Sequence, residues 1–361
     1  MNNDFKLFVL GPVEMDEDIL NIGSMRLPYF RTQEFSQIML RTSELMKKIT
    51  NTSETSKTVF LTASGTGAME AAIINTFNSN DKLLIVVGGG FGKRFKEICD
   101  VHKIPNTAIY VEQGKKLKKE MVEGYRAKGY TGLLANAQET STGVYYDLPM
   151  IGDFCKEEGL IFVVDAISSF LADPFFMDEW NIDITIVSSQ KALALPPGIS
   201  IIIINEKTSN KILNNEVKSF YFRFSDYFNN MERGQTPFTP AVGILLQLNE
   251  KLEKINEVGV DSFINNTSNL AKDFREKIKK FPFEIPSESL SNALTPLRPR
   301  TTISANDIYL HLKSKYNIYV CPNGGDLKDT VFRVGHMGNL TVEDNDELIK
   351  ALKEMEMQGL I

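Results

Sequence analysis

The sequence predicts an α/β protein, with a large domain on a mostly parallel, helix-covered β-sheet and a smaller C-terminal α+β domain. Three observations carry this. Short β-rich apolar runs alternate with amphipathic segments through the middle of the chain, most of those runs are apolar throughout, and the texture changes after about Thr239. Alternating strands and helices require crossover connections and hence parallel pairing. Strands covered on both faces need no polar side.

Taken in order, the predicted strands are residues 58–62, 82–87, 132–136, 160–165, 183–188 and 200–204. Helical patterns fall between them at 66–77, 92–102, 117–128 and 148–158. In such a sheet, ligands sit in the loops at the carboxyl ends of the strands. Beyond Thr239, residues 241–258 and 261–280 read as two long helices, followed by a Pro- and Ser-containing segment. A helix at 307–315, strands at 316–320 and 331–334, and a final helix at 343–357 complete the chain. The division is an N-terminal segment with the large domain over 1–245 and the small domain over 246–361.

At 361 residues the chain exceeds one ordinary core, and 42% apolar with 24% charged residues is a globular composition. A net charge of −6 argues against a nucleic-acid binder, and basic runs such as Lys115-Lys116-Leu117-Lys118-Lys119 read as solvated helix faces. Three scattered cysteines (Cys99, Cys155, Cys321) and three histidines offer no metal-ligand spacing, so no metal is expected. The same cysteine usage, a start without signal-peptide layout and apolar runs far shorter than ~20 residues predict a cytoplasmic protein.

The candidate chemistry gathers at strand ends. Lys191 follows the strand at 183–188 in a polar turn, where it is either a reactive amine or a surface lysine. Asp165 closes the strand at 160–165, and an unpaired carboxylate buried there would be costly; a turn or helix cap is the plainer role. Thr62-Ala63-Ser64-Gly65-Thr66-Gly67 runs from strand to helix, as an anion site or an ordinary N-cap would. Phe91 sits in the glycine-rich turn Gly88-Gly89-Gly90-Phe91-Gly92, either to stack on a flat ligand or to fill the core. Arg333, flanked by apolar residues, suits a planar carboxylate or a structural ion pair, and His336 reads as a core histidine. An aldehyde cofactor such as pyridoxal 5′-phosphate needs an amine, a carboxylate for its pyridine nitrogen and amide donors for its phosphate. Lys191, Asp165 and Ser64-Gly65-Thr66 offer one of each.

From Gly11-Pro12-Val13 to Arg333-Val334-Gly335-His336-Met337-Gly338 the chain resembles the class V aminotransferases of PLP fold type I. The likeness is to the alanine–glyoxylate, serine–pyruvate and 2-aminoethylphosphonate–pyruvate group. It implies a seven-stranded large sheet, with Ser64, Gly65, Thr66 and Gln190 at the phosphate, Phe91 and Ile167 on the ring faces, and Thr140 at the phenolic oxygen. It also implies Asp165 at the pyridine nitrogen, Lys191 as the internal aldimine lysine, and Arg333 at the substrate carboxylate. Gly11, together with Arg31 in Tyr29-Phe30-Arg31-Thr32-Gln33-Glu34-Phe35, falls at the substrate mouth, and Gln235 and Thr236 resemble a segment that reaches a neighbouring subunit's phosphate. A homodimer follows. Phe91 replaces the tryptophan of some relatives, Gly88 a commoner asparagine, and Phe30 a histidine.

The function so implied is amino transfer from an alanine- or serine-type donor to glyoxylate or pyruvate. A 2-aminoethylphosphonate donor is the alternative, with Arg31 or Arg26 as the extra cation. A cysteine-desulfurase-like lyase would need a mobile cysteine, and Cys321 alone lies in loop-like sequence. A cofactor-free scaffold is the reading from another class.

Overall fold

The computed structural model describes residues 5–361. Its centre is a seven-stranded sheet in the order Lys57–Leu61, Ser200–Ile204, Ile184–Ser188, Ile161–Asp165, Gly132–Asn136, Leu83–Val87, Asn106–Tyr110. Only Ser200–Ile204 runs antiparallel, to both of its neighbours. The other six strands therefore open their carboxyl ends on one edge, and Asp165 and the turns leading to Ser64 and Lys191 all lie along it.

Both faces of the sheet are covered, which explains the continuous apolar runs. Leu84 and Val86 pack toward helices Gln33–Ile49, Leu148–Glu158 and Val242–Val258, while Leu83 and Ile85 pack toward Gly65–Thr76, Gly90–Val101 and Phe224–Met231. The seventh strand, Asn106–Tyr110, is missing from the sequence reading because it is an edge strand. Its first three residues are half-buried and Tyr110 is exposed, so it needs no apolar run.

Local chemistry fixes the helix ends. Leu148–Glu158 starts where Asp147 accepts from the Met150 amide at 3.0 Å and stops at Gly159, which takes φ 68°. The helix expected over 117–128 shortens to Lys119–Glu123. After Gly124 the chain leaves helical geometry, and Glu158 takes the Ala127 amide at 2.7 Å.

The smaller sheet has the order Lys6–Phe8, Ile318–Pro322, Phe332–Gly335, Leu294–Pro299, Phe283–Glu284. Lys6–Phe8 pairs parallel with Ile318–Pro322, so the N-terminal segment contributes a strand to the C-terminal sheet. Leu294–Pro299 lies within the segment read as Pro- and Ser-containing; Pro296 and Pro299 supply no ladder donors and disguise it. Val242–Val258 packs against helices Gln33–Ile49 and Glu17–Gly23, and Val260–Ile278 against helix Val342–Met357 and strand Leu294–Pro299, with Gly259 at φ 92° between them. Among the described residues, no helix is long and apolar enough to cross a membrane.

Candidate active site

The phosphate end is built where the strand Lys57–Leu61 gives way to the helix Gly65–Thr76. Ser64 caps that helix, accepting from the Gly67 amide at 3.4 Å, and the first-turn amides have no intrahelical partners. Gly65 is needed for close approach, since a Cβ there would stand 2.5 Å from Ile167 Cδ1. Arg94 Nη1 donates to Thr66 Oγ1 at 3.1 Å, which brings a cation to the same turn.

Asp165 is buried, and its Oδ1 accepts from the Ile167 amide at 2.9 Å. Burial pushes its pKa up to about 6, against the pull of that hydrogen bond and of the Lys191 charge. Thr140 Oγ1 donates to Ser168 Oγ at 2.9 Å, which ties the turn after Gly132–Asn136 to the loop after Asp165.

Lys191 lies two residues beyond Ser189 on the Ser188-Ser189-Gln190 turn, where Ser188 Oγ donates to Gln190 Oε1 at 2.7 Å. No hydrogen bond from a described residue contributes to the pKa of its Nζ. Burial lowers its pKa, and Arg333 lowers it further, against the Cys321 thiol and Asp165. Gly11, at φ 125°, presses on this lysine: a Cβ there would come within 2.8 Å of both Gln190 O and Lys191 Cδ.

Phe91 does not sit on a free glycine-rich turn. It opens the helix Gly90–Val101, half-buried, with the Arg94 guanidinium 4.9 Å from its ring centroid. Glu139 fixes this helix start by accepting from the amides of Phe91 at 3.4 Å and Gly92 at 3.2 Å, a role that sequence reasoning missed. Gly88 also has a reason, since a Cβ there would stand 2.0 Å from the Tyr146 hydroxyl.

Arg333 is buried, with Nη1 donating to Thr140 O at 3.0 Å and Nη2 to Pro322 O. Its Nε is buried without a partner, and burial lowers its pKa. A cleft of about 940 Å³ reaches it past Phe91, Ser141 and Asn323. Cys321, expected in a loop, lies on the strand Ile318–Pro322 opposite Arg333, because that strand runs two residues further than the sequence suggested. His336 is a core histidine, sharing a 2.8 Å hydrogen bond between Nε2 and Thr295 Oγ1.

The remaining candidates lie together but bond to one another. Arg31 donates to Gln235 Oε1 at 3.1 Å and Thr236 O at 2.9 Å, and it stacks on Phe30. Gln235 Nε2 reaches Ser36 Oγ at 2.6 Å, and Thr236 Oγ1 reaches Phe238 O at 2.7 Å. Arg26 is exposed.

These residues fit a flat heteroaromatic aldehyde bearing a phosphate. The fit rests on a half-buried amine whose charge is disfavoured by desolvation, a buried carboxylate, amides at a helix start, and glycines at 11 and 65 where a Cβ would crowd Lys191 and Ile167.

The Aminotransferase class-V profile matches residues 24–320. The chain belongs to the class V aminotransferases. An uncharacterized aminotransferase of Methanocaldococcus jannaschii is 32% identical over 92% of this chain and 87% of its own length. The alanine–glyoxylate aminotransferase of Rattus norvegicus is 30% identical over 95% of this chain and 86% of its own length. The fold also matches the crystal structure of ureidoglycine–glyoxylate aminotransferase from Bacillus subtilis, with TM-score 0.93 and 23% identity over 99% of this chain and 95% of that one. The protein is a transaminase, and its cofactor is pyridoxal 5′-phosphate. That family membership displaces the cofactor-free scaffold.

Proposed function

We propose that this enzyme moves an amino group from a small amino acid, alanine or serine, to a small 2-oxo acid, glyoxylate or pyruvate. One observation carries the substrate class: Arg333 is buried and held by two backbone carbonyls, with Nε unpaired, close enough to Lys191 for its charge to lower that amine's pKa. A fixed guanidinium grips a planar carboxylate with two parallel hydrogen bonds. A carboxylate held there leaves the substrate α-carbon beside Lys191. The similarity to alanine–glyoxylate aminotransferase points the same way.

When bound, pyridoxal 5′-phosphate supplies an aldehyde for the donor amine and a ring that withdraws electrons from the α-carbon. Lys191 Nζ, whose pKa burial lowers, would hold that aldehyde and would be placed to take the proton removed from the substrate Cα. Asp165 would pair with the protonated ring nitrogen, since burial disfavours its own unpaired charge. Ser64, Gly65, Thr66 and Gln190 would hold the phosphate, Phe91 and Ile167 the two ring faces, and Thr140 the phenolic oxygen. Gly11 leaves room for the Lys191 stem.

The working form in this reading is a homodimer. Met25, Leu27, Tyr29 and Phe220 are each more than 60% exposed, an apolar display that a second copy would cover. Gln235 and Thr236, which the family resemblance assigns to the neighbouring subunit's phosphate, are braced by Arg31.

A donor panel tests the substrate assignment. With pyruvate or glyoxylate as acceptor, alanine and serine are expected to exceed 2-aminoethylphosphonate in kcat/KM by about tenfold or more, because a phosphonate needs a further cation while Arg31 is engaged with residues 235–236. A higher kcat/KM with the aminophosphonate reverses the assignment.

A further inference from the structure

Glu139 has no exposed surface, and no hydrogen-bonded cation accompanies it among the described residues. Its carboxylate accepts from the amides of Phe91 at 3.4 Å, Gly92 at 3.2 Å and Ser141 at 3.3 Å. The Ser141 hydroxyl at 2.7 Å and the Asn136 side-chain amide at 3.3 Å complete its shell. The packing leaves no slack: a Cβ on Gly89 would stand 2.5 Å from Glu139 Cδ and 2.3 Å from Ser141 Oγ. A carboxylate so deep is retained only when its donors are fixed around it.

The next residue leads to the other half of the site. Thr140 O receives Arg333 Nη1 at 3.0 Å, and Thr140 Oγ1 donates to Ser168 at 2.9 Å. Asn136 is also the strand partner of Asp165. One carboxylate thus pins the helix that carries Phe91 and the turn that holds Arg333.

We propose that Glu139 is a positioning residue that sets Phe91 and Arg333 in register, so that cofactor stacking and substrate-carboxylate binding both depend on it. This rests on the roles given above to Phe91 and Arg333. Four hydrogen-bond donors besides the Asn136 amide converge on the carboxylate, and a carboxamide in its place would turn N–H donors of its own toward them. The Glu139→Gln variant is therefore expected to weaken pyridoxal 5′-phosphate binding to the cofactor-free protein, and to raise the KM for alanine, each by about tenfold or more. At saturation kcat should fall by less than KM rises, because Lys191 and Asp165 are untouched. In the cofactor-free protein, hydrogen exchange at the Phe91 and Gly92 amides should speed by about tenfold, which a general loss of stability would not confine to that turn. Ser141→Ala, which removes one donor and leaves the acid in place, should shift the same quantities the same way by less.

Cofactor affinity and KM within twofold of the parent in both variants would overturn the proposal, whatever the melting temperature does. A parallel Arg333→Gln variant separates the two readings. If its KM for alanine is unchanged, the substrate-carboxylate assignment fails, and Glu139 is then judged on cofactor affinity and amide exchange alone.

Discussion

Replacing Lys191 by alanine should lower turnover by about 10²–10⁴-fold, the range for removing a positioned proton carrier. It should also abolish the visible absorption that pyridoxal 5′-phosphate gives when joined to a protein amine. The fold should survive, because no hydrogen bond from a described residue steadies Nζ and burial works against its charge. Folding stability and catalysis therefore separate at this position. A variant with parental turnover, or with an undiminished visible band, would place the chemistry on another amine.

Asp165→Asn keeps the side-chain shape and an oxygen for the Ile167 amide, which Asp165 accepts at 2.9 Å, but removes the charge that holds the ring proton. Turnover should fall by about 10²–10³-fold, on the scale of one preorganised electrostatic group. The cofactor-free chain should respond in the opposite sense. Burial raises the Asp165 pKa from 3.8 to about 6, so the folded state binds more protons than the unfolded state across that window. Stability contributed by this group therefore falls as pH rises from about 4 to about 6. At pH 7 the cofactor-free Asn variant should be the more stable chain, by about 3 kcal/mol at most, and below about pH 4 the advantage should vanish. Chemical denaturation at pH 4 and pH 7 checks the sign. An Asn variant that keeps full turnover, or that is less stable at pH 7, contradicts a carboxylate buried for its chemistry.

Much of this was legible because chemistry and fold share residues. The apolar runs ending at Asp165 and before Lys191 mark both buried strands and the loops where ligands collect. The edge strand Asn106–Tyr110 left little trace, since its outer face needs no apolar side chain. Leu294–Pro299 was hidden by its prolines. The glycines around Phe91 suggested a loose turn because the carboxylate that orders it, Glu139, lies 47 and 48 residues away from the amides it takes. Arg31 resembled a free cation at the substrate mouth for the same reason: its partners Gln235 and Thr236 are more than 200 residues distant. Periodicity reports burial and turn chemistry well, but it carries no information on which distant polar group completes a site.

Residue identity at the covalent junction is the most direct test. Cofactor-free protein is mixed with pyridoxal 5′-phosphate, reduced with borohydride, digested, and its peptides weighed. A single phosphopyridoxyl adduct on Lys191, much diminished in Asp165→Asn, is the expected result. An adduct on another lysine, or none on Lys191, would contradict the site described for this fold.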